Sequence, residues 1–221
     1  MKIIHVVPDG ACLFRSLAVS LVYELTGRRV GGGTEWGLEN TFADVIHNIV
    51  ARWIRTLVAM SLRNNRPIVN IRTELKDNRD LYKTIRELTE MIGTYKLNKA
   101  FPSSRLKRSI MRQYLPSIQL KRIQEGEWSY EENGPTAKDI SMSGRLEHES
   151  YASYCRRIFH WVEWGGESEC YIAAHILGAD IHIYENRVRV RTYSCEKNML
   201  GKSLHIHFSP EECHYDGIIN V

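Results

Sequence analysis

Apolar residues near both ends of the chain follow the spacing of strands, whereas those between them follow the spacing of helices. Residues 3–7 form a short apolar run, which Pro8 and the turn signal Asp9-Gly10 bring to an end. The segment Glu185-Asn186-Arg187 favours a hairpin turn between the first two of four further predicted strands. These strands are Ile181–Tyr184, Val188–Tyr193, Leu204–Phe208 and Ile218–Val221.

A strong helical pattern begins directly after the first turn. Leu13, Leu17, Leu21 and Leu25 recur every four residues, and Gly27 ends the pattern. This order of elements predicts an α+β or mixed α/β fold, in which a small central β-sheet is flanked by helices. Further helices are predicted at residues 38–60, 75–91, 106–115 and 170–177, with loops at the triple glycine 31–33 and at the polar segment 125–144.

The composition is that of a soluble globular protein. Of the 221 residues, 43% are hydrophobic and 25% are charged. No apolar stretch approaches the roughly 20 residues that a membrane span needs, and the N-terminal run is too short for a signal peptide. We therefore expect a single domain over residues 1–221 that contacts no membrane.

The cysteines form an odd set with no short paired spacing. This pattern does not favour a disulfide framework, so we expect a reducing compartment such as the cytoplasm. At least one of the thiols then needs another explanation. The five cysteines are Cys12, Cys155, Cys170, Cys195 and Cys213.

Charge is distributed unevenly along the chain. The net charge is only +4, but residues 105–122 carry basic side chains and no acidic one, and residues 125–149 are dominated by acids. Such blocks are usually solvated faces. A nucleic-acid-binding module is the alternative. The basic segment lacks interleaved aromatic residues apart from Tyr114, so we expect no nucleic-acid partner.

Cys12 is the sharpest chemical feature of the sequence. It follows a predicted strand and an Asp-Gly turn, and it stands at the start of the first predicted helix. Free backbone N–H groups and the helix dipole stabilise a thiolate there, and the same N–H groups stabilise the oxyanion that forms when sulfur attacks a carbonyl. The pattern predicts a nucleophile, with a buried structural thiol as the alternative.

His214 is the candidate base for this thiol. Asp216 lies two residues further on, on the same side of an extended chain, where its carboxylate can orient the imidazole. We expect Asp216 to hold the Nδ1–H group while Nε2 faces the thiol. A zinc site built from His205, His207, Cys213 and His214 is the competing interpretation. Because His214 is better used as the base, we predict no metal and no cofactor.

Three segments, in this order, resemble the ovarian tumour (OTU) cysteine peptidases, the OTU deubiquitinases. Residues 9–16, Asp-Gly-Ala-Cys-Leu-Phe-Arg-Ser, are similar to the cysteine loop of that family. Trp164-Gly165-Gly166, followed by Glu169 and the strand at 181–184, is similar to a second family segment, and His214-Tyr215-Asp216 to the catalytic histidine element. Residues from about 27 to 157 carry no such match and would hold family-variable, mostly helical structure.

The resemblance implies a papain-like OTU fold and a thiol-dependent deubiquitinase. Such an enzyme is an isopeptidase that removes ubiquitin or a ubiquitin-like modifier from a lysine through a thioester. Cys12 would be the nucleophile, His214 the base and then the acid, and Asp216 the orienting acid. Asp9 matches a loop aspartate that is often counted with the catalytic residues and would hold the cysteine loop. Whether Asp9 or Asp216 is the main orienting acid stays open.

The resemblance also implies an oxyanion hole formed by the backbone N–H groups of Gly10, Ala11 and Cys12. Ala11 stands where the family usually has asparagine, which removes any contact of that side chain but keeps the backbone donor. Two tryptophans would flank a narrow channel for a Gly-Gly tail, and packing in the core is the alternative for both. The candidate contacts with the modifier are Trp161, Trp164, Gly165, Gly166 and Tyr215.

Three acidic residues near this segment, Glu163, Glu167 and Glu169, are candidate partners for basic residues of the modifier's tail. A solvated or structural position is their alternative. A catalytically weak or inactive member that binds ubiquitin is the alternative function. The compact chain and the early cysteine motif are what a viral or bacterial effector shows, and such a protein would act in a host cytosol.

Overall fold

The computed structural model describes residues 1–27, 42–64, 86, 146, 148–160, 163–195, 198 and 200–221. The predicted helices at 75–91 (apart from residue 86) and 106–115, the loops at 31–33 and 125–144, and the basic segment 105–122 lie outside the described residues. The described elements are, in chain order, β1 (Lys2–Ile4), α1 (Cys12–Thr26), α2 (Phe42–Asn64), α3 (Tyr151–Phe159), α4 (Glu167–Leu177), β2 (Asp180–Glu185), β3 (Val188–Tyr193), β4 (Ser203–Ser209) and β5 (His214–Ile219).

The described strands form one mixed sheet in the order β1-β5-β4-β2-β3. β2 and β4 are parallel, and the other neighbouring pairs are antiparallel. β1 and β5 are neighbours although they come from opposite ends of the sequence, with Ile3 paired to Ile218 and Ile4 to Gly217. The chain that leads to Cys12 therefore leaves the sheet beside the strand that carries His214.

β5 begins earlier than the sequence pattern predicts. The pattern places His214 between two strands, whereas the structure makes it the first residue of β5. All residues of β5 are buried, so the strand lacks the alternation of apolar and polar positions by which a half-buried strand is recognised. Packing also requires a glycine here, because a Cβ on Gly217 would lie 2.6 Å from Cγ1 of Val19 on α1.

α1 lies in the core and confirms the helix predicted from the leucine pattern. It packs against β4 and β5 of the sheet and against α2. Leu13, Leu17 and Leu21 have no exposed surface, as expected for a helix that is apolar nearly all round. Gly27 ends the helix in the left-handed conformation, with φ at 61°, and its N–H donates to the Tyr23 carbonyl.

α2 packs against α1, α3 and α4. Its apolar face is buried at Val50, Trp53, Ile54 and Leu57, so these residues belong to the core. Neither α2 nor any other described helix is long and apolar enough to cross a membrane.

β2 and β3 form the predicted hairpin. Asn186 and Arg187 have positive φ angles of 48° and 67°. Both angles belong to the left-handed region, which the two central residues of a type I′ turn require. The turn prediction at residues 185–187 is thus confirmed.

Candidate active site

Cys12 is the first residue of α1, as the sequence predicts. The residues before it form a tight turn, in which the Cys12 N–H donates to the Asp9 carbonyl at 3.0 Å. Cys12 is fully buried, and the first turn of its helix contains no acidic residue. The thiol therefore lies at the positive end of the helix dipole, with no carboxylate in that turn to oppose it.

The described contacts of Asp9 are with the cysteine loop and α1. Its carboxylate accepts two hydrogen bonds from Arg15, from Nη2 to Oδ2 at 2.8 Å and from Nε to Oδ1 at 3.2 Å. Oδ1 also accepts from the Ala11 N–H at 3.0 Å. Arg15 continues the chain of contacts to α2, where its Nη1 donates to Asn48 Oδ1 at 2.7 Å. These bonds fix the loop against two helices.

Arg55 of α2 binds the same loop from a second direction. The residue is only 2% exposed, and its guanidinium donates to the carbonyl oxygens of Gly10 at 3.2 Å, Ile158 at 2.8 Å and Glu163 at 2.6 Å. The guanidinium also lies over the Phe14 ring, 4.8 Å from its centroid. Burial lowers the pKa of Arg55 to about 10, which keeps the group cationic at neutral pH. One buried cation thus joins the cysteine loop, the last turn of α3 and the segment that contains Glu163.

The three predicted oxyanion donors differ in what they already bind. The Gly10–Ala11 peptide is held at both ends, its carbonyl by Arg55 and its N–H by Asp9. The Cys12 N–H is engaged with the Asp9 carbonyl. Within the described part of the chain, no atom accepts a hydrogen bond from the Gly10 N–H. Of the three candidates, Gly10 is therefore the one whose N–H is still available within the described part of the chain.

His214 and Asp216 lie together on β5, and both are buried. His214 Nε2 lies 3.1 Å from Asp216 Oδ1, so the prediction that Nδ1 would face the carboxylate is wrong. The two side chains share one face of the strand, and the ring extends along that face so that its far nitrogen reaches the carboxylate. Nδ1 is buried, and no described nitrogen or oxygen bonds to it. Nδ1 is thus the nitrogen left for the Cys12 thiol.

Asp216 is also held by the segment that follows β1. Its Oδ1 accepts from the Val6 N–H at 3.0 Å, and its Oδ2 lies 3.1 Å from His5 Nδ1. Sequence reasoning missed both partners, because they stand 210 and 211 positions away and carry no local signal. The pairing of β1 with β5 brings them to the carboxylate.

The electrostatics of the site favour a charged imidazole. The hydrogen bond to Asp216 and the interaction with the Cys12 thiol outweigh burial and raise the pKa of His214 to about 10. Burial alone would raise the pKa of Asp216, but the hydrogen bonds from His214 and from the Val6 N–H lower it below its usual range. At neutral pH an imidazolium therefore lies between a carboxylate and a thiol, the arrangement that activates a cysteine nucleophile.

Comparison with known proteins fits this arrangement. A family model of the OTU-like cysteine proteases matches residues 7–216. The chain belongs to the OTU-like cysteine protease family. The described helices and the mixed sheet confirm the predicted α+β, papain-like OTU fold, and membership of the family supports a thiol protease activity. A search of curated proteins finds no match to the chain.

In this OTU-like protease, the Trp164-Gly165-Gly166 segment packs beside the cysteine helix. A Cβ on Gly165 would lie 2.8 Å from Leu13 Cδ2, so packing against α1 requires this glycine. The atom nearest to a Cβ on Gly166 would be Glu169 Oε2, at the ordinary contact distance of 3.7 Å. Trp164 is 46% exposed. Trp164 and Gly166 are therefore accessible to a substrate, and their role as modifier contacts stays a prediction.

Two other predicted modifier contacts have different positions. Tyr215 is buried and packs against Phe208, with ring centroids 4.7 Å apart. Burial raises the pKa of Tyr215, so its phenol stays neutral. The structure thus shows a packing role for this residue, and its contact with a modifier stays a prediction. Trp161 lies outside the described residues.

Glu169 is buried, which is the structural alternative that the sequence left open. Its carboxylate accepts hydrogen bonds from the Tyr154 hydroxyl and, at 2.7 Å, from the Gly166 N–H at the start of α4. Burial raises the pKa of Tyr154, so the phenol keeps the proton that it donates. The other two acids form ion pairs, Glu167 with Arg191 and Glu163 with Arg157.

Two residues of the competing zinc interpretation, His205 and His214, make other contacts. His205 Nδ1 lies 3.2 Å from the Tyr184 hydroxyl, and burial lowers the pKa of His205 to about 4. All five cysteines are free, and Cys213 is the exposed one. Among the residues that the structure describes, no group of three or more His, Cys, Asp or Glu side chains is arranged to hold a metal ion.

Proposed function

We propose that the protein is a cysteine isopeptidase that removes ubiquitin or a ubiquitin-like modifier from conjugates. The observation that carries the proposal is the position of His214 between Asp216 and the Cys12 thiol, with the pKa of its imidazole raised to about 10. Membership of the OTU-like family supports this substrate class. A protein that only binds ubiquitin has no need of a charged imidazole beside a thiol at a helix N-terminus, so the inactive alternative is not favoured.

In the proposed reaction, the Cys12 sulfur attacks the carbonyl carbon of the modifier's C-terminal glycine while its proton resides on His214. A C–S bond forms, and backbone N–H groups, first that of Gly10, stabilise the developing oxyanion. His214 then donates its proton to the lysine amine, which leaves with the electron pair of the broken C–N bond. A water molecule gives a proton to His214 and attacks the thioester, which releases the modifier's carboxylate and restores the thiol.

Asp216 is the proposed orienting acid of this reaction. Its carboxylate hydrogen-bonds to His214, whereas the described bonds of the Asp9 carboxylate go to Arg15 and to the Ala11 N–H. Asp9 would thus act by holding the loop that carries the nucleophile. Because the reaction needs a reduced thiol, we propose a reducing compartment, such as the cytoplasm, as the place of activity.

A ubiquitin whose C-terminal carboxylate is replaced by an electrophile tests the proposal, together with matching probes made from ubiquitin-like modifiers. The wild-type protein is expected to form a covalent adduct with at least one probe. Cys12→Ala is expected to form none, and His214→Ala to react more slowly. Cys213→Ser is the matched control, because it removes the exposed thiol and is expected to react like the wild type.

An adduct that persists in Cys12→Ala and disappears in Cys213→Ser would show that the nucleophile is Cys213 and not Cys12. If the folded wild type reacts with none of the probes, the isopeptidase proposal fails. Retained non-covalent binding of ubiquitin in that case would favour the ubiquitin-binding alternative.

A further inference from the structure

The carboxylate of Asp216 is shared between two imidazoles. Oδ1 receives the Val6 N–H at 3.0 Å and lies 3.1 Å from His214 Nε2, while Oδ2 lies 3.1 Å from His5 Nδ1. Each oxygen thus has its own partners. Two of the three groups that hold the carboxylate come from consecutive residues at the other end of the sequence.

The exposure of the two side chains indicates that the orientation of the Asp216 carboxylate depends on His5. The Asp216 side chain is 6% exposed, so protein groups rather than water determine the orientation of its carboxylate. The His5 side chain is 60% exposed, so its ring could be fully solvated but instead contacts Oδ2. With Oδ2 held, rotation of the carboxylate about its last side-chain bond would break bonds at both oxygens.

We propose that His5 is a positioning residue of the active site. By donating to Oδ2 it keeps Oδ1 in line with His214 Nε2 while that ring gains and loses its proton. His5 acts through Asp216 and touches neither the thiol nor the substrate. The inference rests on the proposed function, because it assigns Asp216 and His214 to the same reaction.

Three variants separate positioning from a merely structural role. His5→Ala removes the donor. His5→Asn keeps a donor, because the asparagine Nδ2 is bonded to Cγ, two bonds from Cβ, as the histidine Nδ1 is. His182→Ala is the matched control, because His182 is a partly exposed histidine of β2 whose ring bonds to Thr192 Oγ1 at 2.9 Å instead of to Asp216.

Hydrolysis of ubiquitin that carries a fluorogenic C-terminal amide gives the first readout. Because the His5 side chain is exposed, we expect His5→Ala to lower kcat by about two- to fivefold, the range that partly exposed charge-assisted pairs support, with KM unchanged. His5→Asn is expected to restore kcat, and His182→Ala to match the wild type. A His5→Ala kcat equal to that of the wild type, or a folded His5→Asn that restores nothing, would overturn the proposal.

Alkylation of Cys12 by iodoacetamide gives a second readout that needs no modifier. The rate is followed by peptide mass spectrometry, which separates Cys12 from the exposed Cys213. We expect slower alkylation of Cys12 in His5→Ala and a wild-type rate in His5→Asn; equal rates in all three proteins would overturn the role of His5. If the wild type hydrolyses no modifier substrate while the alkylation rates differ as expected, the proposed function fails and the positioning role stands.

Discussion

The guanidinium of Arg55 and the carbonyl oxygen of Gly10 lie 3.2 Å apart, which joins the second helix to the loop that presents Cys12. The same peptide unit donates its N–H to Asp9 at 3.0 Å. The orientation of the loop is therefore fixed by a buried cation and a carboxylate acting on opposite ends of one peptide. Among the described hydrogen bonds neither group touches His214, so both act on the loop of the nucleophile and not on its base.

Replacing Arg55 is expected to destabilise the fold strongly. Arg55→Met keeps much of the apolar volume but leaves three carbonyl oxygens without their donor, so we expect the free energy of unfolding to fall by about 3–5 kcal/mol. Urea unfolding of Arg55→Met and of the wild type measures this loss of stability. Arg52 is an exposed arginine on the same helix, so Arg52→Ala is the control. We expect it to lower the free energy of unfolding by less than about 1 kcal/mol. Equal losses in the two variants would contradict a structural role for Arg55.

The two candidate acids are expected to affect different quantities. Asp216→Ala removes the partner of His214 and is expected to lower kcat at least about tenfold. Asp9→Ala removes the partner of Arg15 and is expected to lower the free energy of unfolding more than it lowers kcat. Steady-state hydrolysis and urea unfolding of both variants give the comparison. The reverse ranking of kcat, in folded proteins, would make Asp9 the main orienting acid.

The raised pKa of His214 predicts a pH dependence of stability. The folded protein keeps the imidazole proton up to about pH 10, whereas the unfolded chain loses it near the usual value of about 6.5. Between these values the folded state binds more protons, so the stabilisation from this group is complete below about pH 6.5 and declines as the pH rises towards 10. The measurement is urea unfolding of the wild type and of His214→Gln from pH 6 to 10. If the difference in the free energy of unfolding between the wild type and His214→Gln stays constant with pH, the raised pKa of His214 is refuted.

The two glycines after Trp164 are expected to respond differently to an added methyl group. Gly165→Ala forces a Cβ to 2.8 Å from Leu13 Cδ2, so we expect a loss of about 1–3 kcal/mol of stability. Gly166→Ala meets its nearest neighbour at 3.7 Å and is expected to leave stability within about 0.5 kcal/mol. If Gly166 lines a channel for a Gly-Gly tail, KM rises in this variant. An unchanged KM would remove Gly166 from the predicted modifier contacts.

The sequence predicted the parts of the site that lie within a few positions of one another. The leucine spacing after Asp9-Gly10 predicted α1 and placed Cys12 at its start, and the spacing of His214 and Asp216 placed both on one side of an extended segment. These predictions depend only on the local geometry of helices and strands, which repeats along the chain.

The rest of the site depends on contacts between distant segments. Arg55 occupies a helix position that is indistinguishable in sequence from a solvated one, and only the packing of α2 on α1 buries it. His5 and Val6 meet Asp216 because β1 pairs with β5. The nitrogen of His214 that faces Asp216 depends on the orientation of one ring, which residue spacing does not determine.

The small size of β1 has a consequence for the temperature range of the enzyme. β1 contributes residues 2–4 to the edge of the sheet, and the two residues directly after it hold Asp216. A short edge strand frays at a lower free energy than the core needs to unfold, so the carboxylate can lose its partners while α1 stays packed. We expect amide exchange at Val6 to outpace exchange in α1 on mild heating, and hydrolysis to decline in parallel. The smallest strand, and not the core, would then set the upper thermal limit of catalysis.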